Sequence, residues 1–261
     1  MESRADHTLV FVGGLHRSGT TLLARSLAEH PDASGFAGTG APADEGQHLQ
    51  SIYPPARVYG GPGRFAFSPQ APLDESSHLV TDENRQRLFS EWGAHWDLTR
   101  PVLVEKSPPN LIRTRFLQAL FPGARFLIIL RHPIAVAYAT RKWSRTPVLS
   151  LLRHWVAAHE TFAADKPDLE HVLVVRYEDL VLDPNATLAA VNAFAGLEPR
   201  AAQQTVRTGS NERYFASWRA SPRFYRHLIE RKLEERVRPF GYSLRDPDSR
   251  AFGYLAREYH G

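Results

Sequence analysis

The stretch GGLHRSGTT, residues Gly13–Thr21, has the spacing of a loop that binds phosphate, with Gly14, Gly19 and Thr21 at its fixed positions. A glycine-rich turn between a strand and a helix presents backbone N–H groups and the positive helix end to an anion. The side chains that add hydroxyl donors or charge here are Arg17, Ser18, Thr20 and Thr21. We therefore predict a phosphate site in this loop; the alternative is a turn that only packs.

Thr20 stands at the position where nucleotide-hydrolysing loops of this type carry lysine. Kinases and hydrolases with such loops also need a magnesium ion, held in part by an aspartate at a strand end. The sequence offers neither, because the two apolar runs that follow end in Glu105-Lys106 and in Arg131-His132. Basic residues at two strand ends suit a ligand that carries anionic groups at two places and needs no metal.

Composition excludes several classes of protein. The chain has 261 residues, 43% of them hydrophobic, a net charge of +4 and no cysteine, which excludes disulfides, thiolate catalysis and cysteine metal sites. The 12 histidines lack ligand spacing, so we expect no metal site. The small positive excess favours anionic ligands and does not indicate nucleic acid. With no apolar run long enough for a signal peptide or a membrane helix, we expect no membrane span and a cytoplasmic location.

The phosphate loop and the basic strand ends need a scaffold of strands and helices. Apolar runs predict four buried strands, at Thr8–Val12, Val102–Glu105, Ala124–Leu130 and Val172–Arg176. Helical spacing predicts helices at Thr20–Glu29, Thr81–Trp96 and Asn110–Phe121, from Pro133, around 148–162 and after Asp183-Pro184. This alternation predicts a parallel, doubly wound α/β sheet with helices on both faces. Ligands of such sheets bind beyond the carboxyl ends of the strands, where the polar clusters fall.

Three segments in this order resemble one known family: HRSGTTLLARSLAEHPD, EKSPPNLIRTRFLQALFPGARFLIILRHP and VRYEDLVLDP. The chain is similar, over residues 8–197, to sulfotransferases that use 3′-phosphoadenosine 5′-phosphosulfate (PAPS), most of all to the tyrosylprotein sulfotransferases and their bacterial relatives. The resemblance implies a P-loop-containing sulfotransferase-like fold. It also implies transfer of a sulfonate group from PAPS to an acceptor hydroxyl, with release of adenosine 3′,5′-bisphosphate and without a metal.

The resemblance also implies roles for individual residues. Arg17 would contact the transferring sulfonate, and Ser18, Gly19, Thr20 and Thr21 would hold the 5′-phosphate. Lys106 would stabilise charge on the leaving group, Arg131 would bind the 3′-phosphate, and Tyr177 would lie near the adenosine. Arg131 could instead cap a strand end, and Tyr177 could simply pack.

The chain departs from the family pattern at two places. A serine is usual two helical turns after the 3′-phosphate arginine, but Ala139 stands there, and Thr140 or Arg141 could substitute. The usual glycine-rich phosphate segment near the C-terminus is not recognisable, and the candidate replacement is Thr208–Arg223. Its arginines and aromatics could indicate RNA binding, but residues 224–237 continue as an amphipathic helix, so we expect no nucleic-acid partner.

Removal of the acceptor proton requires a base. In the tyrosylprotein branch the base is a glutamate soon after the first helix, and in cytosolic small-molecule enzymes it is a histidine. The segment DEGQHLQ offers Glu45, our first candidate, and His48. The remaining alternative is a surface loop in which neither residue acts.

Residues 33–72 are rich in Gly, Pro and Ala, which is typical of a functional loop. Disorder is the alternative, but four aromatic side chains argue against it, namely Tyr53, Tyr59, Phe65 and Phe67. We predict one domain over residues 1–261, with a lid or acceptor-binding insertion at about 33–80 and a C-terminal helical segment at about 208–261. The aromatics suggest an apolar wall, without separating a phenol, sugar, lipid, peptide or natural product as acceptor.

Two other functions compete with this interpretation. A P-loop small-molecule kinase would use Arg17 in place of the lysine and would need ATP and magnesium. A catalytically inactive nucleotide-binding protein on the same fold would bind the donor and tolerate the loss of Glu45 and His48.

Overall fold

The described residues form a sheet of five parallel strands. The computed structural model describes residues 7–200, 209 and 211–249. The strands are β1 (Thr8–Gly14), β2 (Ala33–Gly35), β3 (Val102–Lys106), β4 (Arg125–Leu130) and β5 (Val172–Arg176). Their spatial order is β2-β3-β1-β4-β5, and neighbouring strands pair in parallel. The parallel, doubly wound sheet expected from the sequence is confirmed.

The register of the sheet gathers the polar clusters at one edge. Val12 in the central strand β1 pairs with Lys106 at the end of β3, and Gly14 pairs with Ile129 near the end of β4. The phosphate loop therefore begins between the carboxyl ends of β3 and β4.

Helices follow the strands in the expected alternation. They are α1 (Thr20–Ala28), α2 (Asp82–Gly93), α3 (Thr114–Leu120), α4 (Pro133–Ser144), α5 (Val148–Asp165), α6 (Tyr177–Leu182), α7 (Pro184–Ala195), α8 (Glu212–Arg219) and α9 (Arg223–Val237). The Thr81 hydroxyl accepts the Asn84 N–H at the start of α2, and the Asp183 carboxylate accepts the Ala186 N–H at the start of α7.

Alternate residues of the strands face opposite layers of helices. Val10 and Val12 of β1 belong to a core that includes residues of α1 and α7, whereas Leu9 and Phe11 belong to a core that includes residues of α2 and α3. A further core includes Trp155 and other residues of α5 together with residues of α9. The sheet is covered on both faces, which is why its central strands are uninterrupted apolar runs.

Three elements differ from the sequence prediction. The edge strand β2 was missed because its three residues, Ala-Ser-Gly, carry no apolar pattern. The helix predicted at Asn110–Phe121 is divided into a 3₁₀ turn, Pro108–Ile112, and α3, which begins after Arg113. The short helix α6 follows β5 directly and was not predicted.

The insertion at 33–80 is folded and packs into the domain. After β2 it forms 3₁₀ turns at Pro42–Asp44, Gly46–His48, Ala56–Tyr59 and Phe65–Phe67. Phe65 is fully buried in the core around α5, and Tyr53 is buried in the core beside α2 and α3. Two of the four aromatic residues of this segment, Tyr53 and Phe65, therefore anchor the insertion in the interior of the domain.

Helices α8 and α9 lie in the predicted C-terminal segment. Trp218 of α8 is buried, and its indole N–H donates to the carbonyl of Leu244 at 3.0 Å. Thr208 of the candidate segment Thr208–Arg223, residue 210 and residues 250–261 lie outside the described residues.

Candidate active site

The phosphate loop has a backbone that requires its glycines. Gly14 and Gly19 have φ angles of 149° and 111°. A Cβ atom at Gly14 would lie 2.6 Å from the carbonyl oxygen of Ile129, and one at Gly19 would lie 2.8 Å from the ring of Tyr177. Arg17 adopts a left-handed conformation with φ of 72°, and its side chain is exposed. The loop turns tightly over the end of β1 and leads into α1.

The loop buries the side chains of Ser18 and Thr20 and exposes that of Arg17. The hydroxyl of Ser18 is buried and donates to the carbonyl of Leu15 at 2.6 Å, a bond that closes the loop on itself. Thr20 and Thr21 begin α1, whose first-turn N–H groups have no acceptor within the helix. These N–H groups of the first turn of α1 are therefore suited to bind an anion. The Ser18 hydroxyl instead stabilises the loop through its bond to Leu15.

The insertion carries Glu45 to the end of β3. The Nζ of Lys106 lies 3.4 Å from Oε1 of Glu45 and donates to the carbonyl of Ala43 at 2.7 Å. Lys106 and Glu45 are 5% and 7% exposed, so this ion pair is held out of water. Burial lowers the pKa of Lys106, against the opposing effect of the Glu45 carboxylate. The structure thus brings together two of the residues predicted to be catalytic.

His48 lies beside the same carboxylate. Its Nε2 is 3.9 Å from Oε2 of Glu45, and the amide of Gln47 donates to that oxygen at 2.5 Å. Burial, the largest effect, lowers the pKa of His48, while Glu45 raises it. The two base candidates are therefore neighbours, and Glu45 is the one that forms the ion pair with Lys106.

Arg131 lies where β4 ends and is nearly buried. Its Nη1 donates to the carbonyl of Arg17 at 2.9 Å, and its Nε donates to Oδ1 of Asn211 at 2.9 Å. Its guanidinium stacks on the ring of Tyr177, 4.0 Å from the ring centre. Among the described residues, its Nη2 has no hydrogen-bond partner although that nitrogen is buried. A guanidinium with a free, buried N–H pair fits an anionic ligand group.

Glu178 anchors the segment around Arg131. It accepts hydrogen bonds from the Asn211 amide at 2.7 Å, the His132 backbone N–H at 3.0 Å and the Tyr242 hydroxyl at 2.9 Å. Asn211, which precedes α8, therefore orients Arg131 while being oriented by Glu178. Sequence reasoning missed Asn211 and Glu178, although both lie inside segments that it had singled out.

Tyr214 of α8 occupies the neighbourhood of Ala139. The two side chains pack together with Ala135 on one face of α4. The ring centre of Tyr214 lies 4.6 Å from the guanidinium carbon of Arg213, 5.6 Å from the ammonium of Lys142 and 5.8 Å from the guanidinium carbon of Arg131. Three cationic side chains therefore lie around the ring of Tyr214. This ring packs against Ala139, which occupies the position where the family usually has a serine.

Thr140 is placed elsewhere. It is buried, and its methyl group lies 3.4 Å from the point that a Cβ of Gly63 would occupy. One residue turns an α-helix by about 100°, so Thr140 faces the insertion while Ala139 faces Tyr214. Lys142 and Arg213 were not predicted as site residues, although Arg213 lies within the candidate segment Thr208–Arg223.

Two further residues of the site were missed by sequence reasoning. The Arg17 guanidinium carbon lies 4.4 Å from the centre of the exposed Trp143 ring, which is a cation–π contact. His16 packs edge-on against Phe65, and its Nδ1 is buried without a partner among the described residues. Burial, reinforced by Lys106 and His48, lowers the pKa of His16 to about 3, so its ring is neutral near pH 7.

The chain belongs to the sulfotransferase family, whose family model matches residues 10–201. It is 27% identical over 200 residues to protein-tyrosine sulfotransferase 2 of Gallus gallus, covering 72% of this chain and 51% of that protein. It is 26% identical over 218 residues to the nodulation protein NoeE of Sinorhizobium fredii, covering 73% and 50%. The chain spans about half the length of these curated relatives. The resemblance stated from the three sequence segments is confirmed.

Solved structures agree on the fold. Sulfotransferase STF1 of Mycobacterium tuberculosis matches with a TM-score of 0.51 at 18% identity, covering 82% of this chain and 72% of that chain. Sulfotransferase STF9 of Mycobacterium avium matches with a TM-score of 0.51 at 14% identity, covering 85% and 70%. At these identities the likeness concerns the fold alone.

The described residues contain neither a cluster of metal ligands nor a membrane-spanning helix. Within residues 7–200, 209 and 211–249, no group of three or more His, Asp or Glu side chains could hold a metal ion. Over the same residues, none of the helices is both long and apolar enough to cross a membrane.

Proposed function

We propose that this protein is a PAPS-dependent sulfotransferase, which moves a sulfonate group to an acceptor hydroxyl and releases adenosine 3′,5′-bisphosphate. The observation that carries the proposal is the buried Glu45–Lys106 pair, with 3.4 Å between Nζ and Oε1. It stands next to a phosphate loop with threonine at the lysine position, since Val12, just before that loop, pairs with Lys106. A base and a cation are thereby available beside a phosphate site.

The chain offers cations for both anionic ends of the proposed donor. The first turn of α1 and the Arg17 guanidinium suit a 5′-phosphosulfate. The Nη2 of Arg131, which has no hydrogen-bond partner in the described part of the chain, suits a 3′-phosphate, and Lys142 and Arg213 add charge on the same side. Tyr177, stacked on Arg131 and packed over Gly19, lies between the two regions and suits a contact with the nucleoside. These residues fit a donor that needs no metal.

In the proposed reaction, Glu45 takes the proton of the acceptor hydroxyl while the hydroxyl oxygen forms a bond to the sulfonate sulfur. The bond between that sulfur and the bridging oxygen of the 5′-phosphate breaks, and its electron pair remains on that oxygen. Lys106 and Arg17 stabilise the charge that develops there, because preorganised cations act most strongly where water is excluded. We assign the base to Glu45 and keep His48 as the second candidate.

The donor can be tested without knowing the acceptor. We expect adenosine 3′,5′-bisphosphate to raise the melting temperature of the purified protein, because a ligand that binds only the native state stabilises it. ATP with magnesium should have no comparable effect. Stabilisation by ATP and magnesium alone would instead support a P-loop kinase, with Arg17 in the role of the missing lysine.

A second experiment separates an enzyme from an inactive binding protein. Turnover of PAPS in the presence of a panel of hydroxyl acceptors should fall sharply in Glu45→Gln, while binding of the bisphosphate stays intact. Normal function in both Glu45→Gln and His48→Gln would favour a protein that binds the donor without catalysis.

We also propose that the acceptor enters on the side of the insertion. Glu45 belongs to that insertion, and Val58 and Phe67 of the same segment are exposed apolar side chains. A hydroxyl-bearing acceptor, no nucleic-acid partner and a cytoplasmic location complete the proposal. The last of these rests on the sequence alone, and cell fractionation would test it.

A further inference from the structure

Glu105 is a carboxylate buried directly beneath the turn that carries Glu45. It is the penultimate residue of β3 and is 1% exposed. A Cβ atom placed on Gly46 would lie 2.3 Å from its Oε1, so the backbone of Gly46 rests on the carboxylate. Position 46, the residue after Glu45, therefore accommodates only glycine above the Glu105 carboxylate.

A chain of hydrogen bonds leads from Glu105 to Glu45. The hydroxyl of Ser107 donates to Oε1 of Glu105 at 2.5 Å and accepts the backbone N–H of Gln47 at 2.8 Å. The side-chain amide of Gln47 in turn donates to Oε2 of Glu45 at 2.5 Å. The bond between Ser107 and Gln47 joins the end of β3 to the insertion, and the bond from Gln47 reaches Glu45 itself.

Other bonds fix the two ends of this chain. The amide of Asn110 donates to Oε2 of Glu105, and the indole N–H of Trp92 donates to the carbonyl of Gly46 at 3.0 Å. The backbone N–H of Ala56 donates to the side-chain carbonyl of Gln47 at 2.7 Å. Glu105 is therefore an ionisable group among these supports, as is Lys106, whose Nζ donates to the carbonyl of Ala43.

The charges around Glu105 come from several elements. Lys106 follows it on β3, Glu45 faces it from the insertion, and Tyr53 and Arg113 lie within electrostatic range of it. Burial raises the pKa of Glu105 to about 7, against the lowering effects of Ser107, Asn110 and Lys106. The charge of Glu105 therefore acts on the same lysine that pairs with Glu45.

We infer that Glu105 is a positioning residue for the Glu45–Lys106 pair: through Ser107 and Gln47 it sets where the base stands, and with its charge it supports Lys106. The inference rests on the proposed function for the meaning of that pair. The hydrogen-bonded support itself can be measured whether or not the enzyme is a sulfotransferase.

The first test is amide hydrogen exchange at Gln47. The variants are Ser107→Ala, which removes the hydroxyl link, and Glu105→Gln, which removes the charge. Loss of the hydrogen bond from the Gln47 N–H to the Ser107 hydroxyl should speed exchange of that N–H about tenfold in Ser107→Ala. The matched control is Glu234→Gln, since Glu234 is also buried and accepts the Ser243 hydroxyl at 2.7 Å, in the C-terminal segment. Unchanged exchange at Gln47 in both variants, or equal acceleration in the control, would overturn the inference.

The second test follows Lys106 by nuclear magnetic resonance. The chain has four lysines, Lys106, Lys142, Lys166 and Lys232, so isotope-labelled lysine gives few signals to assign. Loss of the neighbouring negative charge in Glu105→Gln should move the titration of Lys106 to lower pH, while Glu234→Gln leaves it in place. An unmoved Lys106 titration in Glu105→Gln would contradict the charge role.

The third measurement separates failure of the inference from failure of the proposed function. Affinity for adenosine 3′,5′-bisphosphate should stay within about twofold of the parent protein in Ser107→Ala and Glu105→Gln, since neither residue is assigned to the donor. PAPS turnover should fall in both variants. Normal turnover with faster Gln47 exchange would refute the positioning role, whereas a parent protein that binds no bisphosphate would refute the proposed function and leave the exchange result standing.

Discussion

The guanidinium carbon of Arg131 lies 4.0 Å from the centre of the Tyr177 ring. The same ring packs against Gly19, where a Cβ atom would lie 2.8 Å from it. Arg131 also donates to the carbonyl of Arg17 at 2.9 Å. The end of β4, the start of α6 and the phosphate loop are therefore held together as one unit, so a change at Arg131 acts on both anionic regions of the proposed donor site.

Arg131→Ala should weaken the binding of adenosine 3′,5′-bisphosphate by about 10- to 100-fold, because charge-assisted hydrogen bonds contribute about 1.5–3 kcal/mol. Calorimetric titration measures this, with 5′-AMP as the ligand that lacks the 3′-phosphate. The variant should lose most of its preference between the two nucleotides. Arg125→Ala, at the amino end of the same strand, is the control, and an equal loss in that variant would argue against a specific contact.

Lys142→Ala and Arg213→Ala should each lower bisphosphate affinity about two- to fivefold, since they are exposed cations near the proposed 3′-phosphate region. Affinity for 5′-AMP should not change. Arg219→Ala, on the exposed part of α8, is the matched control. If neither variant affects bisphosphate binding, the cations around Tyr214 do not replace the serine that is absent at Ala139.

Lys106→Ala should destabilise the protein by about 3 kcal/mol, because it leaves the Glu45 carboxylate buried without its partner. The double variant Lys106→Ala/Glu45→Gln should recover part of that loss, since the unpaired charge is then gone. Urea unfolding of the parent, both single variants and the double variant measures the coupling. Additive effects would mean that the two groups do not interact.

Trp143→Ala should weaken PAPS binding about two- to fivefold, in line with an exposed cation–π contact of about 0.5–1 kcal/mol, because Arg17 loses the surface on which it stacks. Binding of the bisphosphate, which lacks the sulfonate, should be unaffected. Phe224→Ala removes another exposed aromatic, from α9, and serves as the control. A loss of affinity for both nucleotides would place Trp143 at the nucleoside instead.

The protein should lose stability as the pH falls from about 6.5 towards 3. Burial lowers the pKa of His132 and of His154 to about 3, so the unfolded state binds more protons over this range. His154 must stay neutral, since its Nε2 accepts the backbone N–H of Ala66 at 3.2 Å. Each such histidine contributes up to about 1.4 kcal/mol per pH unit. Urea unfolding at several pH values should give a shallower slope in His154→Gln, and an unchanged slope would refute the assignment.

Four of the five strands were predictable because buried parallel strands are encoded by continuous runs of apolar residues. The runs that became β1, β3, β4 and β5 are uninterrupted and apolar, as required of strands covered on both faces. The edge strand β2 has three small residues and is held by pairing to β3, which the sequence around it does not encode.

The site was predictable to a different degree at each of its parts. The phosphate loop and Arg131 follow strands and Lys106 ends one, so their common edge of the sheet could be inferred from the alternation of elements. The contact between Glu45 and Lys106 depends on the path of an irregular segment, and only the family resemblance indicated Glu45. Arg213 reaches the site because Asn211 and Glu178 fix the start of α8, a long-range arrangement without local periodicity.

The insertion has a consequence for engineering new acceptor preferences. It supplies Glu45 to the proposed reaction centre and also Tyr53 and Phe65 to the interior of the domain. Exchange of the whole segment between related enzymes would remove core side chains together with the proposed acceptor wall, so chimeras should often fail to fold before their selectivity can be assayed. Libraries confined to outward-facing positions such as Val58 and Phe67 leave the interior intact, and there selectivity can be varied independently of folding.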